Sequence, residues 1–122
     1  MNPTRKIYSH WVLVLLLACQ NLFWPSAILA ATTLSHQEWP RTRSGRIVMA
    51  IPAIRSIQEQ FEKTPGSQIV IRYPGGDLGN AWAFDVRNWL VALGITSTNI
   101  VLEPGSGSAD TLVLDVQKRP AL

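Results

Sequence analysis

Residues 68–94, "QIVIRYPGGDLGNAWAFDVRNWLVALG", constrain the fold more than any other part of the chain. "QIVIRY" is β-branched and aromatic with turn residues at both ends, so it reads as a strand. After Asn80, the large apolar residues Trp82, Val86, Trp89, Leu90 and Leu93 recur at helical spacing and fall on one stripe. Gly94 follows as the left-handed residue that commonly ends a helix. A helix that is apolar along one stripe and comes directly after a strand has to bury that stripe on a sheet, which implies a layered α/β structure.

The flanking segments extend this unit. "RIVMAI" (46–51) is a short apolar run of strand type, and Pro52 suits the first turn of a helix running to about Lys63. In that helix Ile54, Ile57 and Phe61 share a face, with Arg55, Glu59 and Glu62 away from it. "NIVLE" and "TLVLDV" read as two further strands, joined by "PGSGSAD" as a hairpin connection. The expected order is βαβαββ: an α/β (α+β) sandwich with two helices on one face of a mixed sheet of about four strands. Its core is expected from Ile47 or Val48, Met49, Ile54, Ile57, Phe61, Ile69, Ile71, Val86, Trp89, Leu90, Leu93, Val101 and Leu112.

The first thirty residues are built differently. Arg5 and Lys6 precede an apolar run from Trp11 to Ala18, and small residues follow "LFWPSAIL". Residues 1–30 therefore read as a secretory signal peptide, cleaved after Ala30 or Ala31. Two other fates stay open: lipidation at Cys19 in "LLAC", which would give an outer-membrane lipoprotein, and an uncleaved leader anchored in the inner membrane. A cleaved product would be periplasmic, and a membrane partner is expected only through a lipidated or retained leader. Residues 31–45 read as a linker or irregular arm, 46–117 as a small α/β domain and 118–122 as a tail.

Composition narrows the function. Without Arg5 and Lys6 the formal charge falls from +3 to +1, so a strongly basic face for nucleic acid is not indicated. Beyond Cys19 there is no cysteine, and His36 is the one histidine after the leader, so Cys/His metal sites are excluded and no cofactor is expected. A Ser/His/Asp constellation would need His36 to fold back from the arm. The carboxylates Asp77, Asp85, Glu103 and Asp110 show no spacing that singles out a catalytic pair, and a noncatalytic role is expected.

The Gly-rich connection "PGGDLGN" puts a helix start at the carboxyl end of a strand, a place that attracts anions. Gly75, Gly76 and Gly79 leave backbone accessible, and Asn80 reads as the N-cap with Asp77 as a rival one turn earlier. The spacing is neither GxGxxG nor GxxxxGK[ST], which excludes a nucleotide loop. Asp77 and Arg87, with Gly79 and Asn80, could receive a zwitterion: its ammonium at Asp77, its carboxylate at Arg87. The competing reading makes Asp77 a helix cap, and Asp85 and Arg87 ordinary surface charges.

An export signal, a βαβαββ order, Asp77 after the second strand, Asn80, Arg87 seven residues on, then "LGI" and a strand together resemble the peptidoglycan-binding domain of the OmpA C-terminal family, over about residues 46–116. The resemblance implies a noncatalytic envelope protein whose loop Asp and helix Arg, here Asp77 and Arg87, hold the diaminopimelate of the stem peptide. The family's "GHTD" is replaced by "PGGD", and only Leu78 and Gly79 separate Asp77 from Asn80.

A second functional class is a protein–protein interaction module in an envelope assembly such as a secretion or conjugation apparatus. Phe84 and Val91 lie off the core stripe of the second helix, where they would form an apolar edge for another envelope protein. A sheet edge at "TLVLDV" could also accept a strand.

Overall fold

The structure, a computed structural model, describes residues 31–121; the expected leader with Cys19, and Leu122, lie outside the described residues. The described chain forms β1 (Thr32–Ser35), a 3₁₀ turn (His36–Glu38), α1 (Gly45–Ala50), α2 (Pro52–Glu62) and β2 (Ser67–Tyr73). It continues through α3 (Asp77–Ala92), a second 3₁₀ turn (Ser97–Asn99), β3 (Ile100–Pro104) and β4 (Thr111–Lys118). The class is the expected one, an α+β sandwich with helices packed against a mixed four-stranded sheet of order β1-β4-β2-β3. The sheet is mixed because β2 and β3 run parallel, as a strand–helix–strand crossover requires, while β4 is antiparallel to both β2 and β1.

The first strand is not where the apolar run put it. "RIVMAI" lies mostly in helix α1, whose N-cap Ser44 accepts a hydrogen bond at Oγ from the Ile47 N–H at 3.3 Å. A short apolar run carries no period that separates a strand from a buried helical turn, and here a good cap settles it as a helix. Only Val48 of that run's helical part is buried; Ile47 and Met49, expected in the core, are 40% and 53% exposed. The strand comes instead from the segment expected to be an arm. Thr32–Ser35 pairs antiparallel with β4, Leu34 opposite Leu112, and Leu34 is fully buried. Trp39 joins the same core, so the domain begins at β1 rather than at Arg46.

The β3–β4 connection is also not a hairpin. β2 stands between the two strands, so residues 105–110 cross over its carboxyl end, where the Gly105 and Ser106 N–H groups both donate to the Tyr73 carbonyl (2.9 and 3.2 Å). β4 is consequently interior, and the edges are β1 and β3, which removes "TLVLDV" as a free edge. Burial follows from this placement. Leu112, Leu114 and Val116 alternate into the core beside Ile69 and Ile71 of β2, while Thr111, Val113 and Asp115 stay half-exposed on the opposite face, where Val70 of β2 is buried.

The two longer helices match their sequence pattern. Pro52 opens α2, and Ile54 and Ile57 are fully buried with Phe61 packed partly against the core. On α3, Trp82, Val86 and Leu90 are buried, and Trp89 and Leu93 pack against the core from its margin. Gly94 follows the helix with φ 111°, a left-handed value that glycine adopts without steric cost.

Candidate functional site

The start of α3 is set by close packing rather than by a polar cap. Gly76 is the N-cap, at φ 94°, and no side chain caps the helix. Gly79, in the first turn, is buried, and a Cβ there would collide with the Pro74 carbonyl. The missing side chain thus lets the helix begin against the end of β2, which puts its start four residues ahead of the expected one. Asn80 is corrected accordingly: it is inside the helix, its N–H donating to the Gly76 carbonyl at 3.1 Å, and its Oδ1 is buried with no hydrogen-bond partner. Asp77 becomes the first helical residue, exposed, where a carboxylate favours the positive end of the helix dipole.

Asp77 and Arg87 project from one helix, ten residues apart, a rise of about 15 Å. Asn80 and Arg87, seven residues apart, lie within about 20° of each other on one flank. Arg87 is half-buried and donates only to Asn88 Oδ1 at 3.3 Å, an exposed contact. Among the described residues the ion pairs are Arg43–Asp85 and Arg72–Glu103, so Asp77 and Arg87 are both uncommitted to a charge partner.

Asp85 behaves differently. It lies about 200° around the helix from Arg87, and its Oδ2 accepts from Trp39 Nε1 at 3.0 Å and from Arg43 Nη2 at 2.8 Å. Arg43 also sits over the Trp39 ring, 5.2 Å from its centroid, and donates to the Pro40 carbonyl at 2.7 Å. This clasp fastens the segment after β1 to α3. Its partners are 46 residues apart in sequence, and no local pattern announces it.

Beside Asp77 the two Gly-rich loops face each other across a cleft of about 520 Å³. One wall is Pro74, Gly75, Leu78 and Gly79, and the other is the 105–109 segment that crosses over β2. A narrower cleft of about 200 Å³ shares Leu78, Gly79 and Ala109 with it and reaches His36, Trp82 and Asp110. Leu78, at 90% exposure, stands between the two. The His36 and Trp82 rings meet edge to face at 5.0 Å, and the Trp82 Nε1 is buried without a partner. Sequence reasoning found one wall of this cleft but not the other, because the second depends on which side of β2 the last strand takes.

Phe84 and Val91 occupy the outer crest of α3, 48% and 37% exposed, two turns apart. Among the described residues no group of three or more His, Cys, Asp or Glu side chains is placed to hold a metal ion, and no helix is long and apolar enough to cross a membrane. Compared with protein-family models, with curated proteins and with solved structures, the chain matches none.

Proposed function

We propose that this is an exported, noncatalytic cell-envelope module that binds the stem peptide of peptidoglycan through Asp77 and Arg87, in the manner of the OmpA C-terminal family it resembles. The observation that carries the reading is that Asp77 heads α3 and Arg87 leaves the accessible flank of the same helix, both without a charge partner, in a chain of that family's layered class. Helical side chains lean towards the N-terminus, so the Arg87 guanidinium can reach part of the way back to Asp77. Its one bond, to the Asn88 amide, is neutral on the acceptor side; a carboxylate, bound bidentately, would outcompete it. An ammonium and a carboxylate on one ligand then answer the two charges. The purified protein should pellet with isolated sacculi, and Asp77→Ala and Arg87→Ala should each release it while leaving stability within about 0.5 kcal/mol. Retention of both variants on the sacculi would remove this site.

A second reading, an interaction module of an envelope assembly such as a secretion or conjugation apparatus, is favoured by Phe84 and Val91 standing together on the crest of α3. It requires an apolar partner surface to cover them.

A further inference from the structure

We infer that the exposed seam along α3 pairs antiparallel with the same seam of a second copy of the chain, in a weak two-fold dimer held by reciprocal Asp77–Arg87 ion pairs around Phe84. This goes beyond the wall-binding reading and does not rest on it.

The seam shows in the spacing. Asp77, Asn80, Phe84, Arg87 and Val91 follow one another at alternating steps of three and four residues, the repeat by which two helices pack along a shared line. None of the five belongs to the core: Asp77, Phe84 and Val91 are exposed, and Asn80 and Arg87 are half-buried. Trp82, Val86 and Leu90 turn the other way into the domain, so α3 keeps a second face that the domain leaves uncovered. Ala81 and Asn88 run beside this face, exposed, uncharged and short enough for another helix to approach.

The charges select the occupant. Parallel pairing of two copies would set Asp77 against Asp77 and Arg87 against Arg87, which repels twice. Antiparallel pairing about a point level with Trp82 brings Asp77 beside the partner's Arg87 and Asn80 beside the partner's Phe84, and the two-fold axis repeats both contacts. On one helix the two charges stand about 15 Å apart along the axis; on two antiparallel helices they are level. A slip by one heptad would put Phe84 against the partner's Arg87 and leave Asp77 without a counter-charge, so the same residues fix the register. An unrelated partner would have to supply this order of charges independently, whereas a second copy already carries it. Neither charge gives up an ion pair to form the contact, since among the described residues Asp77 and Arg87 have none.

The contact is small. Exposed ion pairs add little, and Phe84 and Val91 are the large apolar side chains each copy brings, so the dissociation constant is on the order of 100 µM. A dilute chain keeps its charges free. Self-pairing and wall binding therefore exclude each other in one molecule and are separated by concentration.

The test is sedimentation equilibrium of the purified protein from about 10 µM to about 1 mM. The expected result is a monomer–dimer equilibrium, weakened about tenfold by Phe84→Ser and by each charge reversal, Asp77→Arg and Arg87→Asp. Mixing the two reversed proteins should restore the dimer, because every opposed pair is then unlike in charge; the chain carrying both reversals should pair with itself for the same reason. A variant that had failed to fold would not be rescued by its complement. A monomer at every concentration, association unchanged by the three substitutions, or no restoration on mixing overturns the proposal. So does a monomer that retains another envelope protein through Phe84, which would leave the crest to that protein.

Discussion

Asp85 and Arg87 are two residues apart in sequence and on opposite flanks of α3, and the fold treats them in opposite ways. On the Asp85 flank the carboxylate is shared between an indole N–H and a guanidinium, and the chain beyond β1 is drawn over it. On the Arg87 flank the guanidinium has a single exposed contact with its neighbour, and Asn80 above it keeps an unmatched oxygen. A charge already paired within the fold offers little to a ligand, since breaking the pair would cost what the new contact gains. The closed flank therefore organises the domain, and the open flank together with the loops at its head is where binding can be added without dismantling anything.

The largest effect expected is on the closed flank. Leu34→Ala removes a fully buried side chain from the strand that leads into the clasp and should destabilise the protein by about 3 kcal/mol in urea unfolding. A loss below about 1 kcal/mol would mean that β1 is an accessory, and that the closed flank is less closed than its hydrogen bonds imply.

Asp85→Ala should come next, at about 1–2 kcal/mol, because it strands the Trp39 indole N–H and leaves Arg43 without its partner; partial exposure of both charges keeps the figure modest. The same variant should shift the Trp39 indole resonance and leave sacculus binding intact. Loss of binding with Asp85→Ala, or its persistence with Arg87→Ala, would reverse the assignment of the two flanks.

The contrast between the flanks was only half legible in the sequence, for a physical reason. Where many residues repeat one period, as in α2, α3 and β2, the pattern located the element and its buried face. β1 has a single inward apolar residue, Leu34, between threonines and a serine, too little for alternation to register. α1 has the reverse problem, a continuous apolar run with no polar interruption to reveal its period. The exposure of Phe84 and Val91 followed from helical spacing alone. The start of α3 did not, because the collision that forces glycine at 79 involves Pro74 and exists only once the helix is folded against the strand. The clasp and the second wall of the groove depend on long-range placement: Trp39 meeting Asp85, and β4 choosing the far side of β2.

The crest between the flanks gives the smallest stability effect and the sharpest choice between the two functional readings. Phe84 is 48% exposed and sits outside the core, so Phe84→Ser should change unfolding free energy by no more than about 0.5 kcal/mol. If the crest is covered by another envelope protein, that substitution should still abolish a complex co-purified from the envelope, because a half-exposed aromatic with Val91 two turns away is the kind of anchor interfaces concentrate their energy on. If the open flank alone carries the function, the same variant should bind sacculi as the unmodified protein does and keep every co-purifying partner. A stability loss beyond about 1 kcal/mol would place Phe84 in the folded core and remove the support for the assembly reading, leaving Asp77 and Arg87 as the surface that acts.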